Sequence, residues 1–176
     1  MRYFVGYKVY GEVEEYYSEI TAAIERKFSV TSLARKIPPH ITLQPPFEVD
    51  TIDIVRAELA ELAASSVSLP LPIRGFGSFG TRTLYLKVVA DEELQQQGDS
   101  LASELARIVP GKEVSLPITM HVSIARRLAP QQFQEVHSYL RSLPEPSFAA
   151  EADNLTLFRY INDAWMVEEM FEFKRK

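Results

Sequence analysis

Apolar and polar positions along the chain alternate between a helical period and a strand-like period. Apolar side chains recur every three or four positions over residues 13–28, with glutamates between them, which predicts an amphipathic helix. At three further places an N-cap residue or a first-turn proline precedes apolar residues at helical spacing. These additional helices are predicted to begin at Asp50 or Thr51, at Asp91 and at Pro130.

Short runs rich in β-branched and aromatic residues, bounded by turn-forming residues, predict strands. They lie at residues 3–5, 40–43, 69–74, 83–89, 118–125, 155–160 and 164–173. The first 66 residues thus follow the order strand, helix, strand, helix, and residues 83–143 repeat that order. We expect a single α+β domain over residues 1–176, built as a bilobal duplication of a β-α-β-α unit. Its lobes are predicted at about residues 1–70 and 71–176, and the prediction allows strands to be exchanged between them.

Composition narrows the chemistry that this fold can perform. The chain has 176 residues, three histidines, no cysteine and a formal net charge of 19 − 24 = −5. The lack of cysteine excludes thiol nucleophiles, redox pairs and cysteine-ligated zinc, and makes a reducing cytoplasm the expected location. The acidic balance argues against binding of long nucleic acid, because such binding depends on neutralising many phosphates. No apolar run approaches the roughly 20 residues needed to span a bilayer, so no membrane partner is expected.

Two of the three histidines lie in the same local pattern, which is histidine, apolar residue, hydroxyl residue, apolar residue. The pattern occurs as His40-Ile41-Thr42-Leu43 and, 121 − 40 = 81 residues later, as His121-Val122-Ser123-Ile124. Each copy falls in the second strand of one repeat. Because side chains alternate along a strand, each histidine shares a face with its hydroxyl residue, about 7 Å away, while the aliphatic residues face the core. If the repeats pack about a pseudo-two-fold axis, both pairs meet in one cleft.

Such a pair of motifs suits the cleavage of a phosphodiester. The reaction needs a base for the attacking oxygen and an acid for the departing oxygen, and two histidines can divide these tasks near neutral pH. The hydroxyls of Thr42 and Ser123 can donate hydrogen bonds to non-bridging phosphate oxygens as negative charge develops there. This scheme requires no metal.

The two motifs, their separation and the PPHITL and PPF segments around the first motif resemble those of the 2H phosphoesterase superfamily, which includes the 2′-5′ RNA ligase-like proteins and short bacterial phosphoesterases. The similarity extends along the whole chain. It implies a bilobal α+β fold in which two antiparallel-type sheets face a central cleft, with helices outside. It also implies hydrolysis of 2′,3′-cyclic or related phosphodiesters, or reversible 2′-5′ RNA joining, without metal or cofactor.

The resemblance also assigns roles to the motif residues by position. His40 is the expected proton donor and His121 the expected proton acceptor, and these two roles are open to exchange. Thr42 and Ser123 are expected to hold the phosphate. Ser123 stands where threonine is common, which keeps the hydroxyl but removes the methyl group that restricts its rotamer.

The segment from Gly75 to Gly80 has two open interpretations. Its three glycines match the GxGxxG pattern of nucleotide-binding loops, but the residues that follow have the pattern of a strand, whereas that motif requires a helix. A hairpin loop is therefore favoured over a phosphate-binding loop. The aromatic rings of Phe76 and Phe79 are either structural or a wall for a stacked base.

Three further residues are predicted to have structural roles or to be less favoured as ligand-binding residues. His137 is interpreted as a flank residue of the fourth helix, and Trp165 as part of the core or a sheet face. Alternation along the strand places Arg126 with the aliphatic residues, so that it reaches a phosphate only if the strand bends at its end.

The leading hypothesis is a metal-independent phosphoesterase that acts on a small nucleotide or an RNA end, as a monomer. The alternative is a nucleotide- or RNA-end-binding module that performs no chemistry in the cell. A metallohydrolase is the third possibility. It is less favoured because two histidines need at least one more ligand to hold zinc.

Overall fold

The structure, a computed structural model, describes residues 1–111 and 114–175. In these residues, eight strands form two four-stranded antiparallel sheets, in the orders β2-β1-β7-β8 and β5-β4-β3-β6. The strands are β1 (Arg2–Lys8), β2 (His40–Glu48), β3 (Leu69–Phe79), β4 (Thr83–Val88), β5 (His121–Ala125), β6 (Ser147–Ala152), β7 (Asn154–Ile161) and β8 (Ala164–Glu172). The helices are α1 (Glu12–Phe28), α2 (Asp53–Ser65), α3 (Glu92–Ile108) and α4 (Pro130–Ser142), and a single 3-10 turn spans Leu33–Arg35. The predicted α+β fold with two antiparallel sheets is confirmed.

The two sheets correspond strand by strand. Each motif strand, β2 or β5, lies at one edge of its sheet and pairs with a neighbour, β1 or β4, that precedes it in the chain. In that pairing His40 lies opposite Lys8, and His121 lies opposite Lys87. The C-terminal strands β7 and β8 complete the sheet that β1 and β2 begin, whereas β3 and β6 complete the other. The first sheet therefore combines strands from both ends of the chain, whereas the second sheet is built from the continuous segment of residues 69–152.

Three helices begin within one residue of their predicted start, and α2 begins later than predicted. Helix α1 begins one residue before its predicted start, and α4 begins at Pro130 as predicted. Helix α3 follows Asp91, whose carboxylate accepts a hydrogen bond from the backbone N–H of Leu94 at 2.9 Å. The prediction that Asp50 or Thr51 caps α2 is wrong, because the N-cap is Ile52, which provides no side-chain hydrogen bond and is buried in the core.

Strand boundaries differ from the prediction at several places, and β3 continues to Phe79 through the segment that was predicted to be a loop after residue 74. Strand β2 continues through Pro45 and Pro46, where the sequence predicted its end, because an edge strand can tolerate residues that donate no hydrogen bond. Strand β5 begins at His121 and not at residue 118. Strand β6 was not predicted, since its three alanines have low strand propensity, and it is formed by pairing with β3 along its whole length.

One apolar core includes residues from both sheets and from all four helices. The helices connect the two halves: α1 contacts β5 and β6, and α3 contacts β2. A second, smaller cluster of Phe4, Ile37 and Phe158 lies on the opposite face of the first sheet. Among the described residues, none of the helices is long and apolar enough to cross a membrane.

Candidate active site

The two motif strands lie against each other and present their histidines to the same cleft. Strand β2 contacts β5 although the two belong to different sheets. His40 and Thr42 are partly exposed, whereas the aliphatic residues between and after them are buried, and the second motif has the same pattern. His121 is near enough for its positive charge to lower the pKa of His40. The two motif strands, which belong to different sheets, are therefore neighbours in the fold.

Each histidine is held by a hydrogen bond to the carbonyl group two residues before it. The Nδ1 atom of His40 lies 2.8 Å from the oxygen of Pro38, and the Nδ1 atom of His121 lies 2.6 Å from the oxygen of Thr119. A carbonyl oxygen only accepts hydrogen bonds, so Nδ1 is the protonated nitrogen in both rings. In the neutral imidazole, Nε2 then carries a lone pair and is available to exchange a proton with a ligand.

Burial makes both histidines weaker bases than free imidazole. It lowers the pKa of His40 to about 4, against the opposing effect of the hydrogen bond to Pro38, and the charges of Arg126 and His121 lower that pKa further. Burial also lowers the pKa of His121, again with a contribution from Arg126. Both rings are therefore mostly neutral at pH 7 in the free protein, and His40 is the more strongly affected.

The two hydroxyls beside the histidines are unengaged. Neither Thr42 nor Ser123 makes a side-chain hydrogen bond to another described residue. Both share the face of their histidine, as the alternation of buried and partly exposed residues indicates. They are therefore available to donate hydrogen bonds to a ligand between the two strands.

Arg126 also belongs to this cleft, which corrects the sequence-based placement. The pairing of β5 with β4 shifts by one residue after Ser123, so that Ile124 is an extra, bulged residue and Ala125 pairs with the buried Leu84. This bulge reverses the alternation, and Arg126 follows on the same face as the motif histidines rather than on the aliphatic face. Its guanidinium forms no ion pair or hydrogen bond with a described residue, yet its charge lowers the pKa of both histidines. The cleft therefore carries an unpaired positive charge, which suits an anionic ligand.

Aromatic rings surround both histidines. The ring centroid of His40 lies 4.8 Å from that of Phe4 and 5.5 Å from that of Phe158. The ring centroid of His121 lies 4.7 Å from that of Phe79 and 5.1 Å from that of Tyr85. Sequence reasoning missed Tyr85 and left the role of Phe79 open, because only the pairing of β3 with β4 brings them to the histidine.

The glycine-rich segment is part of this hairpin and not the start of a helix, as its strand-like continuation predicted. Gly75 and Gly77 lie in β3, and Gly80 lies in the turn to β4 with a positive φ of 52°. A Cβ atom on Gly77 would come within 2.5 Å of the Tyr85 ring. The glycine is therefore required for Tyr85 to lie flat across β3, and not for binding a phosphate.

The remaining histidine lies apart from the cleft. His137 stacks on Phe133 within α4, at a centroid distance of 5.5 Å. Among residues 1–111 and 114–175, no group of three or more His, Asp or Glu side chains is placed to hold a metal ion.

Two facing antiparallel sheets, with a histidine and a hydroxyl residue on the edge strand of each, define the 2H phosphoesterase class of proteins. The family model described as the 2′-5′ RNA ligase superfamily matches residues 12–164, and the chain belongs to this superfamily. A protein of Geobacillus kaustophilus, provisionally named a phosphoesterase, is 34% identical over 140 residues, which are 77% of this chain and 78% of that protein.

Solved structures share the whole fold. The Thermus thermophilus protein TT0787 is 22% identical with a TM-score of 0.63, over 100% of both chains. The Escherichia coli protein LigT in complex with 3′-AMP is 16% identical with a TM-score of 0.64, over 98% of both chains. LigT structures have also been determined with NADP+, ATP and phosphate. At these identities the similarity establishes the fold.

Proposed function

We propose that this protein is a phosphoesterase that hydrolyses a cyclic or 2′-linked nucleotide phosphodiester by acid-base catalysis between two histidines. The observation that carries the proposal is the pair of imidazoles that face one cleft, each with Nδ1 fixed by a carbonyl and Nε2 free. The provisional name of the Geobacillus relative and the nucleotide complexes of LigT support the same class of reaction and ligand. The net charge of −5 favours a small nucleotide or an RNA end over long RNA.

In the proposed reaction a phosphodiester lies between Thr42, Ser123 and Arg126. The two hydroxyls and the guanidinium donate hydrogen bonds to the non-bridging oxygens, where negative charge increases in the transition state. The neutral Nε2 of one histidine takes a proton from water as the water oxygen bonds to phosphorus. The bond from phosphorus to the ribose oxygen breaks, and the protonated Nε2 of the other histidine transfers its proton to that oxygen. The product is a phosphomonoester.

The surroundings of the histidines favour His40 as the base in hydrolysis. Its pKa of about 4 keeps Nε2 unprotonated at neutral pH, whereas His121 is less strongly affected. We therefore assign the proton acceptor role to His40 and the donor role to His121, the exchanged form of the assignment by resemblance. In the reverse reaction, the joining of a 2′-5′ linkage, each histidine performs the opposite task.

The first test is an assay of 2′,3′-cyclic nucleotides and 2′-5′ dinucleotides in the presence of EDTA. We expect turnover by the wild-type protein, with a loss of about 10²- to 10⁴-fold in His40→Ala and in His121→Ala. His137→Ala is the matched control, because this histidine lies on α4 away from the cleft, and it should retain activity. Turnover that survives both motif substitutions, or that EDTA abolishes, contradicts the proposal.

The roles of the two histidines can be separated with a p-nitrophenyl phosphodiester, whose leaving group departs without a proton. On this substrate His121→Ala should lose much less activity than on a cyclic nucleotide, whereas His40→Ala should lose as much on both. If instead His40→Ala loses much less activity on this substrate than on a cyclic nucleotide, and His121→Ala loses as much on both, His40 is the proton donor.

The same proteins also distinguish a binding module from an enzyme. If the wild type never turns over any of these compounds, and both histidine variants bind nucleotides as tightly as the wild type in calorimetry, binding without chemistry is the function.

A further inference from the structure

The two sheets place an aromatic residue at the same position beside each motif histidine. Phe158 on β7 pairs with Phe4 on β1, and Phe79 on β3 pairs with Thr83 on β4. In both sheets this pair lies two residues along the strands from the position opposite the motif hydroxyl. Because β7 and β3 are equivalent third strands, Phe158 and Phe79 correspond. Both rings lie within 5.5 Å of their histidine, between centroids. The duplicated fold therefore offers two equivalent aromatic positions in one cleft.

The position in the first sheet is closed. Phe158 is 0% exposed, and its ring stacks on Phe4 at 4.3 Å. The chain between α1 and β2 covers this cluster, since Leu33 and Ile37 pack against it. This segment is also tied to β8, because the backbone N–H of Trp165 donates a hydrogen bond to the oxygen of Lys36 at 2.7 Å. No ligand can reach the face of Phe158 without displacing the segment.

The position in the second sheet is open. Phe79 is 40% exposed, and its only ring contacts among the described residues are with Tyr85, at 4.5 Å, and edge-on with His121, at 4.7 Å. Tyr85 is itself held in place over Gly77, which has no side chain to displace it. Phe79 is thus an exposed ring supported from below and fixed next to a histidine that faces the ligand.

We propose that Phe79 is the platform on which the base of the substrate stacks, and that the cleft accepts one base only. An exposed, preorganised ring stacks on any nucleobase, and such stacking is largely independent of base identity. With the base on Phe79, the ribose lies on the His121 side, so the departing ribose oxygen is the one that His121 protonates. The His40 side, which is closed to a second base, is left for water. The inference rests on the proposed function and specifies its substrate as a nucleoside, or an RNA end, that bears a cyclic phosphate.

Binding tests the platform without requiring turnover. Calorimetry compares adenosine 3′-monophosphate with ribose 5-phosphate, which has a phosphate and a sugar but no base. We expect the wild type to bind the nucleotide about 5- to 150-fold more tightly, the range that one stacked base supplies. In Phe79→Ala this preference should disappear while ribose 5-phosphate binds as before, and Phe79→Tyr should restore the preference.

Tyr160→Ala is the matched control, because Tyr160 is also an exposed aromatic residue, 38% exposed, but lies on β7 of the first sheet. It should bind both compounds as the wild type does. If the wild type binds the nucleotide no more tightly than ribose 5-phosphate, or if Tyr160→Ala and not Phe79→Ala removes the preference, the platform is overturned.

A dinucleotide tests the claim of a single base. The 2′-5′-linked diadenosine should bind no more tightly than adenosine 3′-monophosphate, whereas a second stacked base would add about another 5- to 150-fold. Such a gain would overturn the one-base cleft. If the base preference and its loss in Phe79→Ala are observed and no compound is turned over, the platform stands and the proposed catalysis fails.

Discussion

The two motif histidines have the same backbone position and hydrogen-bond pattern but different environments. Both donate from Nδ1 to the carbonyl two residues earlier, which leaves Nε2 facing the cleft. His40 packs against the stacked rings of Phe4 and Phe158, which the segment between α1 and β2 covers, whereas His121 lies beside the exposed ring of Phe79. This difference lowers the pKa of His40 more strongly, and it is the basis on which we propose different roles for the two histidines.

The pH dependence of the proposed hydrolysis follows from these pKa values. As pH rises through about 4, His40 loses its proton and can act as a base, so kcat/KM should increase. As pH rises further, His121 loses the proton it must donate, and kcat/KM should fall at a pH below the usual histidine pKa of about 6.5. The expected profile for a 2′,3′-cyclic nucleotide is a bell with its maximum at mildly acidic pH. A maximum above pH 7 would contradict the effect of burial on these histidines.

At the scale of elements, hydrophobic periodicity does not fix the residue at which a helix begins or the face on which a residue lies at a strand end. Side-chain caps and bulges determine these features. Helix α3 has a side-chain cap at Asp91, and α2 begins at the buried Ile52 without one. A bulge in β5 changes the face on which Arg126 lies. The cap at Asp91 is local, whereas the buried start of α2 and the bulge in β5 depend on which core residues or strand the segment contacts.

The capping difference can be measured as stability. Asp91→Ala removes the hydrogen bond to the N–H of Leu94 and should lower the free energy of unfolding by about 0.5–2 kcal/mol. Asp50→Ala is the control, because the aspartate just before α2 does not cap that helix, and it should change stability by less than about 0.5 kcal/mol. Urea denaturation of the three proteins provides the comparison. Equal losses in the two variants would mean that Asp50 does stabilise the start of α2.

At the scale of the whole molecule, the two sheets are joined by helices from one half of the chain that pack on strands of the other. The C-terminal strands β7 and β8 complete the first sheet, and α1 packs on strands of the second. One apolar core connects them. Neither sheet can therefore form its full set of contacts while the other is unfolded.

We expect the two sheets to unfold together. Trp165, the only tryptophan, reports on the first sheet by fluorescence, and circular dichroism reports on the whole chain. The two signals should give the same urea midpoint. Leu86→Ala, a fully buried change in the second sheet, should cost about 2–5 kcal/mol and shift both midpoints equally. A fluorescence midpoint that stays in place in this variant would show that the sheets unfold separately.

The sequence alone predicted the features that depend on short-range chemistry. The helical period of α1, the cap at Asp91 and the proline that starts α4 are local, because they depend on neighbouring side chains and on backbone restrictions. The shared face of each histidine and its hydroxyl follows from the period of a strand. The repetition of the motif was enough to indicate that the two copies meet.

Only the tertiary structure decided the features that depend on pairing between distant segments. The alanine-rich β6 exists because β3 lies beside it, and Arg126 reaches the cleft because β4 imposes a bulge on β5. The same holds for the difference between Phe158 and Phe79, which occupy equivalent positions. A segment from elsewhere in the chain buries the first ring and leaves the second exposed, and no local pattern in either strand encodes which ring is covered.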